Sequence, residues 1–288
     1  MSGPEDANPA SEGLDALPVA EILRLMHGED LVAVSAVGKI LADVEKAVED
    51  ATAAIEGGGR VFYIGAGTSG RLGVLDAAEV RPTFGSDRFR AILAGGGKAM
   101  VEAQEGAEDD EEAGTKAAGE IGLGDMALGI SASGRTPFVV AALREAKARG
   151  ARSWLLTCDG TASHPFVDGT LLLATGPELV AGSTRLKAAT ATKLVLNMLS
   201  TATMAKLGGV HDGLMIDVVP SNRKLVARAE GIIARITSCG EEEAAELLRR
   251  SGMRAKVASL MKLRGVSREE AEGLLKRSGG SLRRALAI

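Results

Sequence analysis

The sequence has very few aromatic residues, only 2% of its 288, with a single tryptophan and a single tyrosine. Hydrophobic residues still make up 45% of the chain, so a core must be built from alanine, valine, leucine and isoleucine. Such a core is typical of α/β proteins whose parallel sheet is buried on both faces. Few rings are available for stacking on bases and the net charge is −4, so the composition argues against a nucleic-acid partner.

Cysteine and histidine are also scarce. Cys158 and Cys239 lack the spacing of metal ligands, which favours two reduced thiols in a cytoplasmic protein. The histidines, His27, His164 and His211, are scattered and form no metal or triad pattern. No apolar run approaches the roughly 18 residues of a membrane span, and the first residues lack the pattern of a signal peptide. We therefore expect a cytoplasmic protein with no metal and no membrane partner.

Strand-like and helix-like patterns alternate through the middle of the chain. Residues 1–18 are polar and predict an extended arm, and the next segment predicts two helices broken near His27 and Gly28. Five short apolar runs then alternate with helical patterns, which predicts right-handed βαβ units and a five-stranded parallel sheet. The predicted strands are 60–67, 89–96, 126–134, 152–160 and 169–175, with an acidic helix over 99–121 and a long helix over 185–208.

The character of the sequence changes after about residue 237. Residues 238–288 have the pattern of short helices broken by glycine or serine, and their leucines predict a small three-helix domain. Lysine and arginine are enriched there, but interleaved glutamates favour a solvated helix face over RNA binding. The predicted organisation is therefore an arm at 1–18, an α/β domain at 19–237 and a helical domain at 238–288.

A glycine-rich loop, Gly65–Gly70, follows the first predicted strand and opens a helix. Its pattern, G-x-G-x-x-G, is that of dinucleotide-binding loops, where phosphate lies against a helix N-terminus. A nicotinamide dinucleotide also requires a carboxylate at the end of the second strand, and residues 92–100 contain none. The loop instead carries the hydroxyls of Thr68 and Ser69. The sequence therefore disfavours NAD, although a phosphate group still fits the loop.

A second hydroxyl-rich loop, residues 131–137, follows the third predicted strand. Because ligands of open α/β sheets bind beyond the carboxyl ends of the strands, we expect the two loops to lie at the same edge. Several O–H and N–H donors around three oxygens suit a phosphomonoester. The alternative for either loop alone is a simple helix cap. Two such loops at one edge favour a phosphate site.

Two regions offer carboxylates for acid–base chemistry. Glu79 is predicted near the C-terminal end of the helix that begins at Ser69, where the helix dipole favours a protonated carboxyl. The alternative for Glu79 is an ordinary exposed glutamate. Glu105 and Glu108 belong to an acidic run, most of which must be a solvated face. The residues alone leave the choice between these two open, and they predict a chemistry that uses carboxylates without a metal.

Four segments carry a family resemblance. YIGAGTSGRLGVLDAAEVRPTFG, GISASGRTPFV, GSTRLKAATATKLVLNMLST and LMIDVVPSNRKLVARAEGII resemble the N-acetylmuramic acid 6-phosphate etherases, a family of sugar-isomerase (SIS) domain proteins. The resemblance covers nearly the whole chain. It implies a three-layer SIS domain with a five-stranded parallel sheet, a small C-terminal helical domain, a homodimer and no cofactor. It also implies a lyase that forms N-acetylglucosamine 6-phosphate and D-lactate in cell-wall sugar recycling.

The functional positions of the family map onto this sequence residue by residue. The resemblance implies that Glu79 protonates the lactyl oxygen and then activates water, while Glu108 removes the C2 proton, with the division of labour left open. Glu178, Ser183 and Lys187 are further substrate-binding candidates, although Lys187 also fits a structural ion pair. Contacts with the sugar phosphate are implied for Gly67, Thr68, Ser69, Ser131, Ser133, Gly134 and Thr136.

The sequence also departs from the usual pattern of the family near the predicted site. Ala78, Val80 and Arg81 stand where a serine and a Cys-Pro pair are usual, and the segment DGTASHPF (159–166) stands where Cys-Asn is common. Two alternatives remain, a non-catalytic SIS-domain sugar-phosphate sensor and a phosphosugar isomerase. Retention of both glutamates favours the etherase.

Overall fold

The structure, a computed structural model, describes residues 3–288. The chain divides into two compact units, one formed by residues up to Ala77 with Arg88–Ser200, the other by Ala78–Asp87 with Thr201–Ile288. None of the helices in residues 3–288 is long and apolar enough to cross a membrane.

The first unit is a five-stranded parallel sheet flanked by helices, as the sequence predicts. Its strands run in the order β2-β1-β3-β4-β5, and every neighbouring pair is parallel. They are β1 (Val61–Gly65), β2 (Phe89–Leu93), β3 (Met126–Ile130), β4 (Arg152–Thr157) and β5 (Gly169–Leu172). The helices are α1 (Val19–Gly38), α2 (Leu41–Glu56), α3 (Gly67–Phe84), α4 (Glu111–Ala117), α5 (Pro137–Ala148) and α6 (Lys187–Lys206), of which α3 and α6 continue into the second unit.

The core of the first unit explains the uninterrupted apolar runs of the central strands. Every residue of β1 and β3 is buried, because helices cover both faces of the sheet. Phe62 and Ile64 of β1 pack in one apolar cluster with Phe138 and Leu143 of α5. The sheet is therefore held to α5 by apolar packing.

Two helix predictions in this unit are wrong. Helix α1 continues through Gly28, and the break falls at Lys39 and Ile40. One glycine costs a helix only about 1 kcal/mol relative to alanine, too little to break a strongly periodic segment. The acidic segment 99–121 is helical only in part, because α4 begins late, where the Asp110 side chain accepts a hydrogen bond from the Ala113 N–H at 2.8 Å.

The second unit is helical apart from a two-stranded hairpin, β6 (Val210–His211) and β7 (Leu214–Met215). Its helices are α7 (Arg223–Thr237), α8 (Glu241–Arg250), α9 (Ala255–Arg264), α10 (Arg268–Arg277) and α11 (Leu282–Ala287). One apolar cluster spans α7 to α11, so the predicted division at 237/238 falls inside this unit. Four helices follow residue 238 rather than the predicted three, since Ser281 caps the short α11 after two glycines.

Candidate active site

The strand order creates a switch point between β1 and β3. The chain leaves β1 for β2 on one side of the sheet, whereas β3 leads to β4 on the other. In open α/β sheets a crevice forms at the carboxyl ends of two such strands, where ligands bind. The two hydroxyl-rich loops follow β1 and β3, so the topology brings together the loops that the sequence singles out.

The first loop is shaped by two glycines that touch each other. Helix α3 begins at Gly67, only two residues after β1 ends. A Cβ on Gly65 would lie 2.6 Å from the nitrogen of Gly70, and a Cβ on Gly70 would lie 2.5 Å from the carbonyl oxygen of Gly65. The strand and the helix can approach this closely only without side chains there. The first-turn N–H groups, at Gly67, Thr68 and Ser69, therefore lie at the sheet edge with the positive end of the helix dipole.

The second loop gathers three hydroxyl groups. Ser131 is buried, and its Oγ lies 2.7 Å from Oγ1 of Thr136 and 3.3 Å from Oγ of Ser133. The Gly134 N–H donates to the Ser131 carbonyl at 3.0 Å, which closes the turn. The residue after β4 also fixes the loop, because the Cys158 N–H donates to the Ala132 carbonyl at 2.9 Å. The hydroxyls are therefore held on a stiff loop.

Both loops line one cleft of about 430 Å³ in the first unit. Six of the seven residues predicted to contact phosphate line it, namely Gly67, Thr68, Ser69, Ser131, Ser133 and Thr136. The seventh, Gly134, lies within the second loop. Glu108 and Asp109 add two carboxylates to the same cleft. The cleft thus combines many hydrogen-bond donors with an acid–base group.

The structure distinguishes the two candidate carboxylates, Glu105 and Glu108, between which the sequence alone could not choose. The Glu108 carbonyl accepts a hydrogen bond from the Phe138 N–H at 3.0 Å, in the first turn of α5, so its backbone is tied to the second loop. Glu108 lines the cleft described above, whereas Glu105 lines only a neighbouring cleft of about 220 Å³. Glu108 is therefore the better placed of the two.

Glu79 lies on α3, twelve residues after Gly67, and its side chain is exposed. At about 1.5 Å per residue, α3 carries its Cα about 18 Å along the helix axis from the first loop. The Glu79 carbonyl accepts a hydrogen bond from the Thr83 hydroxyl at 2.8 Å. Its catalytic role stays a prediction.

Glu178 and Lys187 make their contacts with the protein itself. Both are buried, and Glu178 caps α6 by accepting hydrogen bonds from the backbone N–H groups of Lys187 at 3.0 Å and Ala188 at 2.9 Å. The ammonium group of Lys187 pairs with Glu29, as the structural alternative requires. Ser183 is half-buried in the loop before α6. Contact of these residues with a substrate stays a prediction.

Two features of the cleft escaped the sequence analysis. Arg135 lines it directly beside the serines, where its place in the loop was a usable signal. The segment at residues 3–16 is not extended, because it folds into two short 3-10 turns, and its Glu5 lines the cleft. The Pro4 carbonyl accepts from the Glu178 N–H at 3.2 Å, and the Asn8 amide donates to the Pro177 carbonyl at 3.1 Å. These partners lie about 170 residues away, and the local sequence gives no sign of them.

The possible metal ligands of residues 3–288 and the thiol behind the second loop bear on the chemistry of the cleft. Residues 3–288 contain no group of three or more histidine, cysteine or acidic side chains that could hold a metal ion. Cys158 is buried behind the second loop, and burial raises the pKa of its thiol to about 12. The thiol is therefore neutral at ordinary pH and a poor nucleophile.

Comparison with known proteins identifies the family. The chain is 47% identical to an N-acetylmuramic acid 6-phosphate etherase of Geobacillus thermodenitrificans, over 98% of this chain and 97% of that protein. It is 46% identical to the etherase of the same name from Synechocystis, over 98% of this chain and 94% of that protein. The chain belongs to the N-acetylmuramic acid 6-phosphate etherase family. The predicted family is confirmed.

Further comparisons place this etherase-family chain among SIS-domain folds. Residues 42–147 match the glucokinase regulatory protein N-terminal SIS domain. The solved structure of a protein from Escherichia coli CFT073 superimposes with a TM-score of 0.50, at 18% identity, over 66% of this chain and 93% of that one. The likeness to that structure concerns the fold alone. The predicted SIS-type α/β architecture is confirmed.

Proposed function

We propose that the protein is a lyase that converts N-acetylmuramic acid 6-phosphate and water to N-acetylglucosamine 6-phosphate and D-lactate, in cell-wall sugar recycling. The observation that carries the proposal is the family membership of the whole chain. The cleft supports it, because two hydroxyl-rich loops suited to a phosphomonoester meet there beside the carboxylate of Glu108. A sugar phosphate anchored on the loops would bring its carbon skeleton to an acid–base group.

The chemistry needs two proton-transfer groups and no cofactor. The ether at C3 is a poor leaving group, but opening the sugar ring exposes an aldehyde at C1 that makes the C2 proton acidic. Glu108 removes that proton and the C3–O bond breaks. Because Glu79 lies about 18 Å along α3 from the first loop of its own chain, farther than a sugar 6-phosphate extends, the proton for the departing lactate oxygen would come from the partner subunit's Glu79 in the dimer proposed below. A C2=C3 double bond remains. Water then adds at C3 with loss of a proton to the partner subunit's Glu79, and C2 regains its proton.

The 6-phosphate serves as a remote handle for this chemistry. Hydroxyls of Ser131, Ser133 and Thr136 and the N–H groups at the start of α3 are the proposed donors. Binding energy from a group that does not react can fix the reacting carbons in position, which raises the rate of the chemical step. A substrate without phosphate should therefore lose turnover as well as affinity.

The proposal is tested by lactate release. The purified protein, given N-acetylmuramic acid 6-phosphate without added metal or NAD, should release D-lactate, and Glu79→Gln and Glu108→Gln should each abolish most of it. In ¹⁸O-labelled water the label should appear at C3 of the sugar, because water replaces the lactyl oxygen there. A sensor or an isomerase would release no lactate. If the wild type releases no more lactate than the two variants, the etherase proposal is wrong. Label in the lactate would mean cleavage on the other side of the ether oxygen.

We also propose a homodimer, supported by the apolar surface of α1. Its exposed large apolar side chains are Val19, Leu23, Met26, Leu31, Val32 and Val34. At helical spacing Val19, Leu23, Met26 and Val34 lie on one side of α1, and an exposed apolar stripe of this kind marks protein interfaces. In light scattering, the double variant Leu23→Glu/Leu31→Glu should be a 29.5 kDa monomer while the wild type is a dimer. Val101→Glu, at an 86% exposed apolar residue outside α1, is the control and should stay dimeric.

A cytoplasmic location completes the proposal. Both cysteines are unpaired in the structure, which is usual for proteins of reducing compartments. Cell fractionation with an antibody against the native chain tests the location, and recovery from the extracellular or periplasmic fraction would contradict it.

A further inference from the structure

Arg135 is the single positively charged residue among those of residues 3–288 that line the cleft. The other charged residues there are Glu5, Glu108 and Asp109, all potentially anionic. A phosphate monoester carries a charge of about −1.5 to −2 at pH 7. Three carboxylates would repel such a ligand, so the one guanidinium has a large influence on whether the cleft accepts it.

The guanidinium of Arg135 is already engaged. Its Nη1 donates to Oδ2 of Asp159 at 2.5 Å, and its Nη2 donates to the hydroxyl of Thr161 at 2.5 Å. The side chain is nevertheless half exposed, at 52%, so solvent and ligands can reach it. In the free protein the guanidinium of Arg135 is therefore held by the Asp159 carboxylate, at the edge of a cleft suited to a phosphate group.

The partner anion is itself firmly organised. Oδ1 of Asp159 accepts hydrogen bonds from the Thr161 N–H at 2.8 Å and the Thr161 hydroxyl at 2.7 Å. Hydrogen bonds from Thr161 and then from Arg135 lower the pKa of Asp159 to about 2. Asp159 thus stays ionised and in place when the arginine leaves it. Both partners belong to the segment 159–166, where the sequence departs from the usual family pattern.

The loop beneath Arg135 is fixed by bonds besides the one from its own side chain, whose Nη1 donates to the Ser133 carbonyl at 3.3 Å. The ring of His164 bonds through Nε2 to the Gly134 carbonyl at 2.7 Å, and since a carbonyl only accepts, Nε2 carries the proton. The Gly134 N–H is bonded to the Ser131 carbonyl. Release of the guanidinium therefore need not displace the hydroxyl groups of the loop.

We propose that Arg135 binds the phosphate group of the substrate, and that Asp159 holds its guanidinium in the free protein and competes with the phosphate for it. The planar fork of arginine matches the oxygens of phosphate as well as those of carboxylate, so one partner can replace the other. The inference rests on the proposed function for its ligand, a sugar 6-phosphate. It adds a substrate-binding residue and a competing anion that set the affinity for phosphate.

A double-mutant cycle tests the competition. The dissociation constants of N-acetylglucosamine 6-phosphate and of N-acetylglucosamine are measured by calorimetry, and their ratio gives the contribution of the phosphate. Arg135→Gln should reduce that contribution about tenfold or more, and Asp159→Asn should increase it several-fold. In the Arg135→Gln background, Asp159→Asn should have no effect, because there is no guanidinium to release.

Three results would overturn the inference. If Asp159→Asn still tightens binding in the Arg135→Gln background, Asp159 acts by simple repulsion of the ligand. If Arg135→Gln weakens N-acetylglucosamine as much as its 6-phosphate, Arg135 only supports the loop. If Arg135→Gln weakens D-lactate and leaves the phosphate contribution unchanged, Arg135 binds the carboxylate of the substrate.

Matched variants keep these results interpretable. Arg135→Lys retains the charge without the fork and should fall between wild type and Arg135→Gln. Arg144→Gln removes one exposed arginine on α5 and should leave the phosphate contribution unchanged. Lactate release is followed separately. A wild type that binds the sugar phosphate but releases no lactate contradicts the proposed function alone, whereas lactate release with an unaltered phosphate contribution in Arg135→Gln contradicts this inference alone.

Discussion

The hydroxyl of Tyr63 in β1 donates a hydrogen bond to Oδ2 of Asp76 in α3, across 3.1 Å. Both side chains are buried in the first unit, and the hydroxyl of Ser200 in α6 lies close enough to Asp76 to lower its pKa. Burial, the largest influence, raises the pKa of Asp76, although the two hydroxyls and the charge of Lys193 oppose it. One carboxyl group thus ties the helix that carries Glu79 to the central strand.

Asp76→Asn should change how stability depends on pH. The pKa of Asp76 is raised in the folded protein above 3.8, so the stability that its proton contributes is present in acid and lost as the pH rises through the folded pKa. Asparagine has no such loss. The unfolding free energy of the variant, relative to wild type, should therefore increase from pH 4 to pH 7. Urea unfolding followed by the single tryptophan, Trp154 in β4, measures it, and a constant difference would contradict the prediction.

Asp76→Ala is the companion variant. It leaves the buried hydroxyl of Tyr63 without its acceptor, which should reduce the unfolding free energy by about 1–3 kcal/mol. The same tryptophan signal reports the loss. A variant as stable as wild type at pH 7 would mean that the Tyr63 hydroxyl finds another acceptor.

Gly70→Ala should destabilise the first unit. Its new Cβ would lie 2.5 Å from both the Gly65 carbonyl oxygen and the Leu93 side chain, so β1 and α3 must move apart. We expect a loss of about 2 kcal/mol or more, as for other overpacked sites. Gly231→Ala is the matched control, since it lies within α7 with no heavy atom within 4 Å and should gain about 0.5–1 kcal/mol. Equal effects of the two substitutions on thermal unfolding would contradict the prediction.

Glu108→Gln and Glu105→Gln form a pair that tests whether the proposed catalytic carboxylate is Glu108 or its acidic neighbour Glu105. Glutamine keeps the shape of Glu108 but cannot accept the C2 proton, so lactate release should fall about 10²–10⁴-fold. Glu105→Gln removes the same charge three residues away, outside the cleft of the two loops, and should stay within about twofold of wild type if only acid–base catalysis distinguishes the pair. Steady-state lactate assays measure both rates. If Glu105→Gln lowers the rate of lactate release more than Glu108→Gln does, Glu105 is the base instead of Glu108.

Lys256→Met should destabilise the second unit. Lys256 is buried at the start of α9, where its ammonium pairs with Asp217 and donates to the Gly280 carbonyl at 2.8 Å. Burial raises the pKa of Asp217 while Lys256 lowers it, so loss of the lysine leaves a carboxylate that is costly to ionise. Because Asp217 is partly exposed, we expect a loss of about 2 kcal/mol. In urea unfolding followed by circular dichroism the loss should be smaller at pH 4 than at pH 7, and partly recovered by adding Asp217→Asn.

Much of the fold follows from local sequence, for physical reasons. The strands are predictable because central strands of a parallel sheet are apolar throughout, and the meeting of the two loops follows from the shared edge of those strands. By contrast, the contact of Arg135 with Asp159 could not be predicted, because no local sequence pattern links these two segments. The hairpin at 210–215 has a signal, the Asp212-Gly213 turn with positive φ at both residues, but strands of two residues show no alternation.

The arm at residues 3–16, whose Glu5 lines the cleft, is synthesised well before the segment that it contacts. Asn8 and Glu29 find partners at Pro177 and Lys187, 169 and 158 positions further along the chain. Synthesis proceeds from the N-terminus, so the arm waits until the segment before α6 has left the ribosome. A nascent chain that has emerged only as far as β4 would already hold both loops, yet Glu5 could not take its place. Completion of this binding cleft is therefore a late event in the life of each new chain.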